Sequence, residues 1–410
     1  MPPRVVSFLG FFAILIFCFF LSSSRQKINY RTILWGVFFQ VIAFVMVIGI
    51  PAIGYDGPLR FLFDGANRAV NAVIAFTNEG TKFLFGSLAD PEKLGIIFAV
   101  QILPTIVFTA TVMAVLYHLG IMQKVVRLMA WVMYRTMNVS GAESLSNAAN
   151  VFLGQTEAPL TVKPYLNNMT RSELLAVMIG GMASTAGGVL VAYVTFLKDI
   201  IPNIAGHLVG ASVLSAPATF VIAKLLVPET QEPETCRSLP ADSEKMDVNI
   251  FEAAARGASE GLYLALNVAA MLLAFIALVA LINGLFSLFP YQITLQKLFS
   301  WIFYPFAIAM GIPLNEVPAA AVLLGEKTVF NEFVAYVHLA ENKDLSARTA
   351  TMLAYALSGF ANFSSIGIQI GGIGLLAPNK KSEIAKLGLL ALIGGNLATF
   401  MMACLAGILL

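Results

Sequence analysis

The chain has 410 residues, of which 58% are hydrophobic and only 12% charged, and its formal net charge is +2. Soluble globular proteins carry about 25% charged residues, so this composition lacks the polar surface that a water-soluble fold of this size needs. The small and evenly spread charge gives no indication of a nucleic-acid partner. Composition therefore predicts an all-α polytopic membrane protein whose surface faces the lipid bilayer.

Spanning helices need about 20 mostly apolar residues, and six segments meet this requirement without interruption. Two more segments are apolar but broken by small residues. The first segment resembles the apolar part of a signal peptide, but Arg25 and Lys27 follow it where a cleavage site would stand, so we expect it to be retained. The eight predicted spans are 4–22, 31–53, 96–119, 172–198, 204–227, 262–289, 347–374 and 382–409.

Basic residues cluster in alternate loops, which predicts that this side of the membrane is cytoplasmic. Lys198 and Lys297 are the minority exceptions. Both termini of this multi-pass protein are then expected outside the cytoplasm. The clusters are Arg25, Lys27 and Arg31; Lys124, Arg127 and Arg135; Arg237, Lys245 and Arg256; and Lys380 with Lys381.

Between the spans lie segments of intermediate polarity. Residues 228–250 are rich in Pro, Glu and Ser and predict a flexible cytoplasmic linker that divides the chain into halves. Segments 57–90, 121–137 and 291–308 mix aromatic, charged and apolar residues, which is typical of short helices lying at the membrane interface.

Residues 143–168 and 315–341 are too polar to face lipid and predict re-entrant hairpins buried in protein. Each half of the chain then runs span, hairpin, broken span and span. The orientation of the loops places the two hairpins on opposite sides of the membrane. Inverted repeats with broken helices are typical of secondary transporters, whose substrate site lies near the bilayer midplane.

The first hairpin carries Asn150, Gln155 and Glu157 at its middle. A carboxylate at membrane depth is costly and needs a partner or a ligand. Gly154 and Pro159 interrupt the helix around it and free backbone groups. Gln155 and Glu157 together offer donors and acceptors suited to a solute with amide-like edges. The alternative is a structural turn that these side chains only cap.

The second hairpin carries Glu332, preceded by Glu326 and Lys327. We expect Glu326 and Lys327 to pair with each other, which leaves Glu332 as the unexplained carboxylate. A buried carboxylate accepts two hydrogen bonds from vicinal hydroxyl groups such as those of a ribose. A purely structural role for these residues stays open at this point.

The two broken spans also hold polar groups. Asn362 is difficult to explain in an apolar run, whereas Ser364 alone is compatible with simple helix packing. Ser184 and Thr185, with Asn150, offer oxygen atoms of the kind that a hard monovalent cation such as sodium prefers. From the residues alone, the sodium interpretation and a packing role are equally supported.

Other classes of function lack support in the sequence. HExxH and phosphate-binding loop motifs are missing, which argues against a membrane-embedded enzyme, and no organic cofactor is indicated. The three cysteines and three histidines are scattered, which predicts neither disulfides nor a zinc site. A channel remains an alternative, although two opposed hairpins favour alternating access.

At these motifs the sequence resembles the concentrative nucleoside transporter family, in its bacterial sodium-coupled form. The resemblance rests on GQTEAPL (154–160), NEFVAY (331–336) and SGFANFSSIGI (358–368), supported by NEGTKFLFGSL (78–88). It covers essentially the whole chain. Some bacterial members use protons and carry Gln-Ser-Glu in the first hairpin. Here Asn150 and Thr156 favour sodium, with proton coupling as the alternative.

The resemblance implies a homotrimer in which a transport domain slides like an elevator against a scaffold. Scaffold segments would be 1–119 and 251–308, transport segments 120–228 and 309–410, with 229–250 as linker. By resemblance, the residues that bind the nucleobase would be Gln155, Thr156 and Glu157, with Val189 and Phe360 packing beside it. The residues that bind the ribose would be Glu332, Asn362 and Ser365. The sodium ligands would be Asn150, Ser184 and Thr185, with carbonyl groups near Leu153 and Ala186.

Overall fold

The computed structural model describes residues 1–50, 54–55, 57–90, 97–236, 238–240, 247–288 and 294–410. Their regular structure is helical apart from one isolated bridge between Ile50 and Tyr55, which confirms the all-α prediction. The α-helices are α1 Pro3–Phe20, α2 Tyr30–Ala43, α3 Arg60–Phe85, α4 Phe98–Gln101, α5 Leu103–His118, α6 Ile121–Met137, α7 Gly141–Asn150, α8 Lys163–Leu166, α9 Arg171–Ala183, α10 Gly187–Leu197, α11 Ile204–Leu226, α12 Ile250–Phe286, α13 Leu295–Ala309, α14 Val317–Val329, α15 Glu332–Glu341, α16 Ala347–Leu357, α17 Phe363–Leu376 and α18 Lys381–Leu409.

Seven helical segments among the described residues are long and apolar enough to cross a membrane. The eighth predicted span, 347–374, consists of α16 and α17, each shorter than the bilayer requires. A π-helical turn, Phe44–Ile48, extends α2. The seven segments are Pro3–Phe20, Tyr30–Ile48, Phe98–His118, Arg171–Leu197, Ile204–Leu226, Ile250–Phe286 and Pro378–Leu409.

The start of α12 differs from the prediction, because the helix begins at Ile250 and not at residue 262. The Asn249 side chain accepts a hydrogen bond from the backbone N–H of Glu252 and caps the helix at its true start. Residues 250–261 carry the charged residues Glu252, Arg256 and Glu260, so hydropathy indicates only where the helix becomes continuously apolar. Parts of some predicted segments lie outside the described residues, namely 51–53, 96, 237, 241–246, 289 and 291–293.

The predicted interfacial segments are helical as well. Residues 57–90 hold α3, residues 121–137 hold α6, and the described part of 291–308 holds α13, in which Pro305 lies inside the helix. The hairpin 143–168 comprises α7, a 3-10 turn at Ala158–Val162 and α8, and the hairpin 315–341 comprises α14 and α15. That these hairpins enter and leave a bilayer on one side stays a prediction.

Burial separates an inner group of helices from an outer one. The apolar stretches of Arg171–Leu197, Ile204–Leu226 and Pro378–Leu409 are each 83% buried, whereas that of Ile250–Phe286 is only 6% buried. The outer helices expose Phe and Leu side chains that a bilayer would cover. Helix α12 packs along α5, and the division into scaffold and transport domains stays a prediction.

Both predicted breaks in the apolar spans are present. Helix α9 ends before Ser184, whose backbone is extended, and α10 begins at Gly187. In the other half, α16 ends before Ser358, and the Asn362 side chain caps α17 by accepting from the Ser365 N–H. Small residues at these positions let the chain leave the helical conformation without steric cost.

The two breaks contact each other at Gly359. Its φ is +89°, and a Cβ atom there would lie 2.6 Å from the Met182 carbonyl oxygen. Only glycine satisfies both requirements. The Gly359 N–H donates to Thr185 Oγ1 at 2.9 Å, so one hydrogen bond joins the first break to the second.

Candidate functional site

The tip of the first hairpin presents its polar residues between α7 and the 3-10 turn. Gln155 is buried with 8% exposure, Thr156 is half-buried, and Glu157 is exposed. The Gly154 N–H donates to Glu157 Oε2 at 3.3 Å, which orients that carboxylate at the tip. Pro159 stands in the first turn of the 3-10 helix, where its missing N–H removes no helical hydrogen bond. The tip therefore offers one buried amide beside one accessible carboxylate.

Glu332 is the first residue of α15 and is only 4% exposed. Its Oε1 accepts from the Tyr193 hydroxyl at 2.8 Å, and its Oε2 accepts from Asn362 Nδ2 at 3.3 Å. Asn331 caps the same helix by accepting from the Val334 N–H, and the helix N-terminus itself favours a negative charge. Neutral donors thus hold this buried carboxylate.

Glu326 and Lys327 do not pair with each other, so that expectation is wrong. Glu326 Oε2 lies 2.8 Å from His338 Nδ1, and Lys327 Nζ donates to the Ala356 carbonyl at 2.8 Å and to Thr399 Oγ1 at 2.9 Å. Consecutive residues of a helix point about 100° apart, which sends the two side chains to different neighbours. Lys327 satisfies a carbonyl group in the last turn of α16, close to the second break.

Helix α17 joins the two hairpin tips. Asn362 Oδ1 accepts from the Ser365 N–H at 2.9 Å and from Ser364 Oγ at 2.6 Å, while its amide nitrogen faces Glu332. Ser365 Oγ accepts from Gln155 Nε2 at 3.0 Å. The structure therefore brings Gln155, Ser365, Asn362 and Glu332 into one connected hydrogen-bond network across both halves of the chain.

The residues expected to bind sodium lie around the first break. In the amide orientation that satisfies its neighbours, Asn150 accepts from the Gly181 N–H at 3.1 Å and donates to the Gly154 carbonyl at 3.3 Å. Thr185 Oγ1 accepts from Gly359, and Ser184 Oγ donates to the Gly180 carbonyl at 2.8 Å.

The two carbonyl groups expected to bind sodium, those of Leu153 and Ala186, differ in the hydrogen bonds that they already accept. The Ala186 carbonyl accepts from the Val189 and Leu190 N–H groups at the start of α10. No hydrogen bond from the described residues reaches the Leu153 carbonyl. All of these oxygen atoms are of the class that sodium prefers, and the Leu153 carbonyl is the least engaged of them.

The two expected apolar contacts of the substrate lie on segments that also carry residues of the polar network. Val189 is buried with 2% exposure and lies one helical turn before Tyr193 on α10. Phe360 is half-buried within the second break, two residues before Asn362. Each therefore lies within four residues of a group that holds Glu332, and that the two form the walls of a substrate site stays a prediction.

Comparison with known proteins decides the family. Residues 9–88 match the N-terminal region of the Na+ dependent nucleoside transporters, residues 207–407 match their C-terminal region, and residues 99–200 match a nucleoside recognition region called Gate. The chain is also 42% identical to an uncharacterized transporter of Haemophilus influenzae, over 98% of this chain and 97% of that protein. The chain belongs to the Na+-dependent nucleoside transporter family. It is accordingly a transporter and not an enzyme.

Further similarities place this transporter among both animal and structurally known relatives. It is 36% identical to the sodium/nucleoside cotransporter 1 of Rattus norvegicus, over 100% of this chain but only 64% of that longer protein. It is 39% identical to CNTnw, solved in an inward-facing substrate-bound state, with a TM-score of 0.91 over 99% of this chain and 98% of that one. Comparison with a substituted CNTnw in an outward-facing state gives a TM-score of 0.91 as well, with 37% identity and the same coverage of both chains. The resemblance identified from the motifs is thus confirmed.

Two residues of this transporter's network escaped the sequence analysis. Tyr193 binds Glu332 and stacks on Tyr336 with ring centroids 4.4 Å apart. Gln369 Nε2 donates to Gln155 Oε1 at 3.1 Å and to the Met178 carbonyl at 2.9 Å. The sequence did contain a signal for each. Tyr193 shares a face of α10 with Val189, and Gln369 follows Ser365 by four residues, which places it on the same face of α17.

Proposed function

We propose that this chain is a symporter that imports nucleosides together with sodium, using the two hairpin tips as its binding site. The observation that carries the proposal is the network joining Gln155 to Ser365 and Asn362 to Glu332. The base would bind Gln155, Thr156 and Glu157 between the walls of Val189 and Phe360.

The ribose would bind Glu332, Asn362 and Ser365. A buried carboxylate without a cationic hydrogen-bond partner is costly unless other donors complete its shell. Vicinal hydroxyl groups are such donors, and their arrival would improve the environment of Glu332 that Tyr193 and Asn362 already define. This supports a sugar with a free diol as the substrate.

Sodium would bind as the co-transported ion at Asn150, Ser184 and Thr185, with the Leu153 and Ala186 carbonyl groups. The Asn150 side chain already contacts the Gly154 carbonyl, immediately before the residue that carries the base-binding amide. Sodium arriving first would therefore fix the hairpin tip and complete the edge that the base needs. This order of binding supplies coupling without protonation of Glu157 or Glu332.

Alternating access would be of the elevator type, in a homotrimer of the bacterial inner membrane. The transport domain, residues 120–228 and 309–410, would move against a scaffold formed by residues 1–119 and 251–308. Glu157 is exposed and lies within electrostatic range of Arg256 and Tyr117, at the predicted cytoplasmic ends of α12 and α5. This supports a site open to the cytoplasm.

Uptake of labelled uridine and adenosine into proteoliposomes tests the proposal. A sodium gradient without a pH gradient should drive uptake, whereas uptake driven only by a pH gradient would instead establish the proton-coupled alternative. Glu332→Ala should abolish uptake of both nucleosides while the protein remains inserted and assembled. Glu341→Ala, at the exposed end of the same helix, is the matched control. Normal uptake by Glu332→Ala would refute the site.

A further inference from the structure

One face of α17 lies against the tip of the first hairpin. Ser365 and Gln369 both contact the Gln155 side chain, through Oγ at 3.0 Å and Nε2 at 3.1 Å. A Cβ atom on Gly372 would lie 2.8 Å from Thr156 Cγ2. These three positions are spaced i, i+4 and i+7, the spacing of one helical face. The base-binding tip therefore rests on this face of α17.

The amide of Gln369 has a defined direction. Its Nε2 donates to the Met178 carbonyl at 2.9 Å, and because a carbonyl group can only accept, the nitrogen and not the oxygen of Gln369 lies there. The same nitrogen faces Gln155, so Gln155 presents its oxygen to Gln369. Gln155 Nε2 is thereby directed to Ser365 Oγ.

Packing holds both amides in place. A Cβ atom on Gly181 would lie 2.8 Å from Gln369 Nε2 and 2.9 Å from Gln155 Cβ, so the two side chains lie directly on the backbone of α9. Gln369 is fully buried, and its Oε1 has no hydrogen-bond partner among the described residues. A buried amide with one unsatisfied atom in a mostly apolar run is costly and calls for a functional explanation.

We propose that Gln369 is a specificity-determining positioning residue that fixes the Gln155 amide with its N–H side available to the nucleobase. The oxygen of Gln155 is turned toward the buried Gln369 amide and accepts from it, whereas one of its two N–H groups is left for a ligand. Gln155 then favours a base that presents an acceptor to it. Bases with a carbonyl group at this edge, such as uracil, satisfy it, and bases with an amino group there, such as cytosine, do not. This inference rests on the proposed function.

The same geometry explains why an apolar residue at 369 would change selectivity and not merely weaken binding. Without the Gln369 N–H, the Gln155 amide can reverse and present its oxygen to an amino group. Affinity for uridine then falls and affinity for cytidine rises. General loosening of the tip would instead reduce both affinities by the same factor, so the ratio of the two dissociation constants separates the two explanations.

Isothermal titration of the purified full chain with uridine and cytidine, at saturating sodium, measures that ratio. We expect the parent to prefer uridine by about tenfold, the worth of one good hydrogen bond. Gln369→Met should reduce the preference to about twofold or less. Gln369→Leu provides a second apolar variant should the first fail to fold. Gln296→Met removes a different paired glutamine, bound to Asn283 away from the site, and should leave the ratio unchanged.

The outcomes are distinguishable. An unchanged ratio in a folded Gln369 variant, or a parent that binds both nucleosides without preferring uridine, would overturn this inference alone. A parent that binds neither nucleoside would overturn the proposed function as well.

Discussion

Two buried carboxylates of this chain are held in opposite ways. Glu143 in α7 is 1% exposed, and its Oε2 lies 2.7 Å from Lys224 Nζ, a cation that is itself almost fully buried. Glu332 is as deeply buried, but Tyr193 and Asn362 hold it with neutral donors. A carboxylate that is already paired with a buried cation is not available to bind a ligand. A carboxylate whose hydrogen bonds come from neutral donors remains available for one, as the proposed role of Glu332 requires.

The pairing of Glu143 extends into a local network. Glu143 also accepts from the Ser140 N–H at 2.7 Å, and Lys224 Nζ donates to Ser172 Oγ at 2.9 Å. Ser140 and Thr170 each begin a capping box, the former with Glu143 itself. This cluster fixes the base of the first hairpin against α9 and α11, at the end of α7 opposite to the tip.

The largest effect is expected where the matched charge is broken. Lys224→Met leaves Glu143 buried without its cation, which should lower the free energy of unfolding by about 3–5 kcal/mol. Thermal unfolding in detergent measures the loss. Adding Glu143→Gln should recover most of it, because the uncompensated charge is then gone. Lys198→Met, at an exposed lysine, is the control, and a single Lys224→Met variant as stable as this control would contradict the prediction.

A smaller effect is expected where a neutral donor is removed from Glu332. Tyr193→Phe keeps the ring stacked on Tyr336 but removes the hydroxyl that binds Oε1. The nucleoside dissociation constant should rise about tenfold, the lower end of the range for one hydrogen bond to a charged group. Tyr336→Phe removes the other hydroxyl of the stack, which donates to the Ala354 carbonyl, and should leave nucleoside affinity unchanged. Equal losses in both variants would show that the hydroxyl on Glu332 has no special role.

The smallest effect is expected for an ion pair in contact with solvent. Asp247, outside the membrane-spanning segments, binds Arg256 through two hydrogen bonds of 2.8 and 2.9 Å, which lowers the pKa of that carboxyl group. A lowered pKa stabilises the fold above the unfolded value of about 4, and the benefit is lost as the pH falls through the folded value. Asp247→Asn should therefore cost at most about 1 kcal/mol, because a third of the Arg256 side chain is exposed.

Melting curves at pH 7 and at pH 3 check this last prediction. The difference between parent and Asp247→Asn should be full at pH 7 and smaller at pH 3. A loss comparable to that of Lys224→Met would mean that the pairing itself, and not burial, sets the energy of these carboxylates.

The membrane architecture followed from the sequence because apolar length and small-residue breaks act locally. The breaks at Ser184 and Ser358 were predicted, since runs of Gly, Ser and Thr cannot hold a helix through an apolar span. The start of α12 was not predicted, because hydropathy does not detect charged helical turns capped by Asn249. The expected pairing of Glu326 with Lys327 failed because proximity along a helix does not imply contact.

The site was predictable in its residue types but not in its pairings. Tyr193 and Glu332 are 139 residues apart in the chain, and Gln155 and Gln369 are 214 apart, so only the fold joins them. The spacing of Ser365, Gln369 and Gly372 was nevertheless visible as one helical face. Polar residues that share a face with a recognised motif residue should therefore be treated as part of the same site.

The hydrogen bond from the Gly359 N–H to Thr185 Oγ1 has a thermodynamic consequence. Thr185 belongs to the proposed cation site, and Gly359 directly precedes Phe360 of the proposed nucleoside site. A cation that reorients the Thr185 hydroxyl shifts the energy of the Gly359 conformation, and with it the affinity for nucleoside. Linkage is reciprocal, so bound nucleoside must tighten sodium by the same factor that sodium tightens nucleoside. This one hydrogen bond would then couple the binding and the release of nucleoside to those of sodium.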